Sequence, residues 1–229
     1  RLYIVNIFLL PLFSIISIML NILIIKTINQ NKKKHLKEKL FEYMSLNAKF
    51  NLVYALLCPL ELISFGMKFN LFYLSFQNLL FVQYLNIIQV QFICTIIKIS
   101  SNLAYIQMTI NRYMLIGKEH IKIIEQISNF PIKKSILFII LISFFLSLVK
   151  IFEFQINDGT LPNAYPYIII SFRTIKEKII LTFVFITDFF NILILVLNSF
   201  IEILILFKLK KELFNKKKKM SQLGMSHHR

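Results

Sequence analysis

Glu61, Lys98, Asp188 and Glu202 each sit in a stretch of sequence that is otherwise almost wholly apolar. Within hydrocarbon an ionisable side chain is costly, so it pairs with a partner or faces a polar cavity, and it marks a functional position by default. Lys98 together with the acids Glu61 and Asp188 could hold a ligand that bears both charges, or could hold the helices together as ion pairs. Both readings need the same groups, and residue type alone leaves them open. Lys49 and Lys150 lie near the ends of apolar runs, where a lysine stem can snorkel to the headgroups. A neutral set, Asn21, Asn51, Ser101 and Asn102, lies at a different depth. Such residues hydrogen-bond across helices in membranes, at about 0.6 kcal/mol on average.

The elements that carry these groups follow from composition. The chain has 229 residues, 57% of them hydrophobic and 17% charged, with a mean hydropathy of +0.68. A soluble domain carries about a quarter charged residues. Runs of about 18 or more apolar residues cross a ~30 Å hydrocarbon layer as helices, because lipid leaves backbone polar groups no other partner. The expected fold class is therefore all-α, a multi-span transmembrane helix bundle forming a single domain. Five spans are expected, at about residues 3–25, 41–66, 87–116, 135–154 and 179–207, with a polybasic segment at 208–229. Residues 69–84 are too short for a separate span and should extend the second and third helices. The first run is too long and too uniformly apolar for a signal peptide.

The charge of +16 does not point to nucleic acid, since the basic residues lie between spans and not on a soluble face. Their distribution sets orientation, because Lys and Arg favour cytoplasmic loops. Lys26, Lys32, Lys33, Lys34, Lys37 and Lys39 fill the first loop. Arg112, Lys118, Lys122, Lys133 and Lys134 flank the third and fourth spans, and a second lysine cluster follows residue 207. The alternate loops hold only Lys68, Arg173, Lys176 and Lys178. The amino end is expected outside the plasma membrane and the polybasic loops inside, apposed to anionic lipids. Cys58 and Cys94 both fall in apolar segments and form no disulfide framework. His35, His120, His227 and His228 all lie in cytoplasmic segments. No hydrolytic, redox or metal-binding constellation emerges, so neither an enzyme nor a cofactor is expected.

The third span ends on Asn111-Arg112-Tyr113, with Ser101 eleven positions earlier. The first span holds Leu20-Asn21-Ile22-Leu23-Ile24, and the second places Asn51 eight residues before Pro59. Together these positions resemble the rhodopsin-like G protein-coupled receptors. In that family the third helix ends on Asp/Glu-Arg-Tyr, an asparagine marks the first helix, and an aspartate precedes the second-helix proline. The departures are Asn111 and Asn51 in place of acids, no cysteine near position 87, no tryptophan at all and no fifth-helix proline. The resemblance covers five of seven helices, so the chain reads as a fragment lacking the sixth and seventh.

What the resemblance implies is a cell-surface receptor. A heterotrimeric G protein would couple through Asn111, Arg112 and Tyr113, and Asn21, Asn51 and Ser101 would form a switchable polar core. An extracellular peptide or zwitterionic ligand would meet Glu61, Lys98 and Asp188 in the outer half of the bundle. Glu202, about 9 Å above Lys208 along a helix, could restrain Arg112 in place of the missing neighbouring acid. The alternative is a membrane transporter or channel subunit that uses the intramembrane Glu, Lys and Asp groups. Against it stand the absence of an internal repeat and of glycines within the core of a span.

Overall fold

The computed structural model describes residues 2–31, 39–68, 80–116, 121–155, 167–168 and 174–226, with side chains at 9–31, 39–57, 59, 83–116, 121–154 and 174–215. The apolar runs are helices. They are α1 (Leu2–Asn31), α2 (Lys39–Lys68), α3 (Leu80–Leu85), a π-helical stretch (Asn86–Ile93), α4 (Cys94–Leu115), α5 (Lys122–Asn129), α6 (Ile132–Ser147), α7 (Val149–Glu153) and α8 (Ile175–Ser226). The only strands among the described residues are β1 (Phe154–Gln155) and β2 (Tyr167–Ile168), a two-residue antiparallel ladder with Phe154 opposite Ile168.

Four helical stretches among the described residues are long and apolar enough to cross a membrane: Leu9–Asn31, Gln83–Leu115, Ile132–Glu153 and Ile175–Asn215. The sequence expects a fifth at 41–66. Helix α2 covers that range, and the side chains of its second half, at 58 and 60–68, lie outside the described residues. Residues 80–84 do extend the third helix, and the turn expected at 69–79 lies outside the described residues.

Local chemistry sets the ends. Leu85 and Ile93 keep right-handed helical dihedrals, so α3, the π stretch and α4 run on without a break. Pro131 is extended at the start of α6, as suits a residue that supplies no N–H to the helix before it. Thr174 and Glu177 form a capping box ahead of α8. The Thr174 N–H donates to Glu177 Oε2 and the Glu177 N–H to Thr174 Oγ1, each at 3.2 Å, which satisfies two orphan donors reciprocally. From there α8 runs 52 residues, about 78 Å. That far exceeds a hydrocarbon layer, and its lysine-rich end continues as helix beyond the apolar run.

Helix α4 is the central strut, packed against α2, α6 and α8, while α1 packs on α2. Lys39 at the start of α2 touches the chain that follows α4, so α2 and α4 run antiparallel. Tyr105 meets Glu202 and Tyr113 meets Lys208, so α4 and α8 run parallel. The contacts use small and hydroxyl side chains. Ser135, Ile139 and Ser143 are buried at four-residue spacing on α6, and Ser100, Ala104 and Thr109 are buried on α4. Small residues let helix backbones approach closely where lipid supplies no hydrophobic drive. Large apolar side chains point outward instead: Phe13 and Met19 on α1, Phe138 and Phe145 on α6, Phe185 and Phe207 on α8. In water so extensive an exposed apolar surface would be a liability; in a bilayer it is the solvated surface.

Candidate functional site

The site is built on one helix. Thr95, Lys98, Asn102, Tyr105, Thr109 and Arg112 recur along α4 at alternating steps of three and four. At 3.6 residues per turn this spacing keeps them on one face. Thr109 is buried, Thr95, Asn102 and Tyr105 are half-buried, and Lys98 and Arg112 are exposed. A polar stripe thus runs most of the length of a helix whose other positions are largely apolar. Just ahead of it lies the π-helical stretch, whose wider turns often accompany functional sites.

Midway along α4, Ser101 binds α2. Its hydroxyl oxygen lies 2.7 Å from Asn47 Oδ1 and 2.6 Å from Asn51 Oδ1. Asn47 and Asn51 are one turn apart, so they present both amides to the same point. The hydroxyl has one proton to donate and lone pairs to accept. It donates to one amide oxygen, and the other amide, turned over, can donate its NH2 back. Of the expected polar core, Asn51 and Ser101 are therefore brought together. Asn21 is buried but turns onto its own helix, where its Nδ2 donates to the Ser17 carbonyl at 2.7 Å and to Ser17 Oγ at 3.1 Å.

At the far end of α4 the three consecutive residues point three ways, since each step turns about 100°. Asn111 is buried, donating to the Gln107 carbonyl at 2.7 Å and accepting from Ser128 Oγ at 3.2 Å. This bond ties in α5, whose C-terminal carbonyls at Ser128 and Phe130 accept from Lys39 Nζ at 2.8 and 3.4 Å. A cation there also suits the negative end of the helix dipole. Tyr113 is buried toward α8. Lys208 Nζ stands 4.1 Å from its ring centroid, a cation–π geometry, and 3.3 Å from its carbonyl oxygen. Ile110, Tyr113, Ile201 and Ile205 form a buried cluster, closed below by Ile124 of α5. Arg112 is left exposed, with no hydrogen bond or ion pair among the described residues.

Glu202 finds its partner in Tyr105, whose hydroxyl donates to its carboxylate. Glu202 is thus bonded to Tyr105, two turns from Arg112 on α4, and not to Arg112 as expected.

The trio expected in the outer half is not assembled among the described side chains. Lys98 is exposed on α4 and Asp188 is exposed on α8. Neighbouring Thr187 is buried and bonded to the Leu146 carbonyl at 3.2 Å, which turns Asp188 outward. The side chain of Glu61, and with it the expected approach to Lys98, lies outside the described residues, as does the side chain of Cys58. Cys94 is buried and is not in a disulfide. No group of three or more His, Cys, Asp or Glu side chains among the described residues could hold a metal ion.

Asn47, Tyr105, Ser128 and Lys208 take part in this network without having been singled out by type. Two signals in the sequence bear on them: the four-residue spacing of Asn47 and Asn51, and the polar steps from Thr95 to Arg112.

A near-wholly helical architecture, outward-facing phenylalanines and hydroxyl-lined helix contacts define a helical membrane protein. No protein-family model, curated protein or solved structure matches the chain.

Proposed function

We propose that this chain is the helical core of a plasma-membrane receptor of the type that the sequence resembles, the rhodopsin-like G protein-coupled receptors. Its amino end lies outside, and α2 is a fifth span that turns its polar face onto α4. A peptide or zwitterionic ligand acts on the outer half of the bundle, near Glu61, Lys98 and Asp188. A heterotrimeric G protein engages the inner end of α4. The observation that carries this reading is the division of labour on α4. Ser101 is clamped to Asn47 and Asn51, Tyr105 to Glu202 and Tyr113 to Lys208, while Arg112 alone of the inner triplet is exposed. A cation at the cytoplasmic rim, on a helix held by polar contacts that can break and re-form, is what a two-state relay to an inner partner requires. Arg112 lies fourteen residues beyond Lys98, about 21 Å along the axis, so the two ends of α4 serve separate binding events.

The test is G protein activation in cells expressing the protein, read by subunit dissociation, against Arg112→Ala at matched surface expression. Basal or stimulated activation that disappears in the variant supports the reading. Equal activation by both proteins, or none by either, goes against it. The stripe from Thr95 to Arg112 also suits a hydrophilic path, the transporter reading. Solute or ion flux into proteoliposomes that is lost in Lys98→Ala would favour that reading instead.

A further inference from the structure

A cleft of about 520 Å³ opens between α1 and α2, lined by Ile22, Ile25, Lys26, Asn29, Gln30 and Leu52. Its chemistry is graded along one axis. Ile22, Ile25 and Leu52 give it an apolar wall, and Lys26, Asn29 and Gln30, from the last two turns of α1 before Asn31, line it mostly through their stems and carry their polar heads to its rim. The gradient follows the membrane normal. α1 is apolar enough to span, so its middle lies in hydrocarbon, while its last turns reach the headgroup layer on the lysine-rich side of the bundle. The cleft faces outward from the bundle and is open along its length, since Ile22, Lys26, Asn29 and Gln30 are all exposed.

We infer that this cleft binds an acidic phospholipid of the inner leaflet. One acyl chain lies along Ile22, Ile25 and Leu52. The headgroup phosphate is met by the Lys26 ammonium, with the Asn29 and Gln30 amides donating hydrogen bonds beside it. Basic recesses between transmembrane helices on the cytoplasmic side are suited to anionic headgroups. Lys32, Lys33, Lys34 and Lys37 follow Asn31 within six residues of sequence, a basic run that favours acidic over zwitterionic lipid. A soluble phosphate would use the rim and leave the apolar wall bare, so the apolar half of the cleft is what selects a lipid. α2 supplies both Leu52 and, one residue earlier, the Asn51 that binds Ser101. A lipid seated here therefore braces the helix that holds the α4 clamp.

The test uses the full chain in nanodiscs of mixed phosphatidylserine and phosphatidylcholine, each carrying in turn a photoactivatable acyl chain, with cross-links mapped by peptide mass spectrometry. The expected result is phosphatidylserine cross-linking concentrated at Ile22, Ile25 and Leu52. Labelling there should fall by about tenfold in Lys26→Ala, the equivalent of 1.4 kcal/mol, and be kept in Lys26→Arg. Labelling at Phe138 and Phe145, on the far helix α6, should not change. Excess glycerophosphoserine, the free headgroup, should not compete. Equal labelling of the cleft by both lipids, an unchanged signal in Lys26→Ala, or competition by the free headgroup would each overturn the assignment.

Discussion

Tyr105 and Glu202 join α4 to α8 through a hydroxyl-to-carboxylate hydrogen bond. Both side chains are half-buried, at a depth where an unpaired carboxylate is expensive. Tyr105→Phe removes the donor and leaves the acceptor. It should lower stability by about 1–2 kcal/mol, seen as a fall in Tm in detergent micelles. Adding Glu202→Leu should recover much of that loss, because replacing both partners with apolar groups is far milder than orphaning one. Additive losses in the double variant would show that the pair is not coupled.

The Ser101 clamp makes a sharper comparison, because α6 offers a control serine. Ser143 is buried where Ser101 is half-buried, and its hydroxyl donates to the Ile139 carbonyl of its own helix at 2.7 Å. Ser101→Ala should cost about 1 kcal/mol, since it strips a shared partner from Asn47 and Asn51. Ser143→Ala should stay within about 0.5 kcal/mol. Thermal melts of the two variants that coincide would refute a special role for Ser101.

Asn111 holds α5 through an acceptor, Oδ1, which receives the Ser128 hydroxyl. An aspartate keeps an acceptor there; a leucine does not. Hydrogen exchange across 122–129 should therefore speed up in Asn111→Leu and stay near the wild-type rate in Asn111→Asp. In signalling assays Asn111→Asp should also lower basal activity, because it sets a carboxylate beside Arg112. Faster exchange in both variants would mean that α5 is held by Lys39 and Ile124 and not by this bond.

Arg112 is exposed and has no hydrogen bond or ion pair among the described residues. Arg112→Ala should leave Tm unchanged within the equivalent of about 0.5 kcal/mol and, under the proposed receptor function, abolish G protein activation while sparing ligand binding. A large drop in Tm would recast the residue as structural.

Orientation can be read directly. With Cys58 and Cys94 replaced by alanine, Lys122→Cys should react with an impermeant maleimide only after cells are permeabilised, and Thr174→Cys should react on intact cells. The opposite pattern would invert the topology and place the Arg112 end outside.

Depth along the membrane normal is written in the sequence, because helix rise is fixed and lipid demands apolar runs bounded by charge. That is why the spans at 3–25, 87–116, 135–154 and 179–207 coincide with helices, and why Arg112 stands at the basic end of its own. The face each residue turns to its neighbours is not written there. A period of 3.6 relates residues within one helix, but the rotation of one helix against the next comes from packing. Asn21 and Asn51 look alike as lone asparagines in apolar runs. Yet Asn21 spends its amide on Ser17, while Asn51 and Asn47 converge on Ser101, because the contact between α2 and α4 is close. Lys98 and Asp188, opposite in charge, both turn outward, and Glu202 meets Tyr105. Only the rotation of α8, fixed by Thr187, Ile201 and Ile205 packing inward, decided which acid is held and which is exposed.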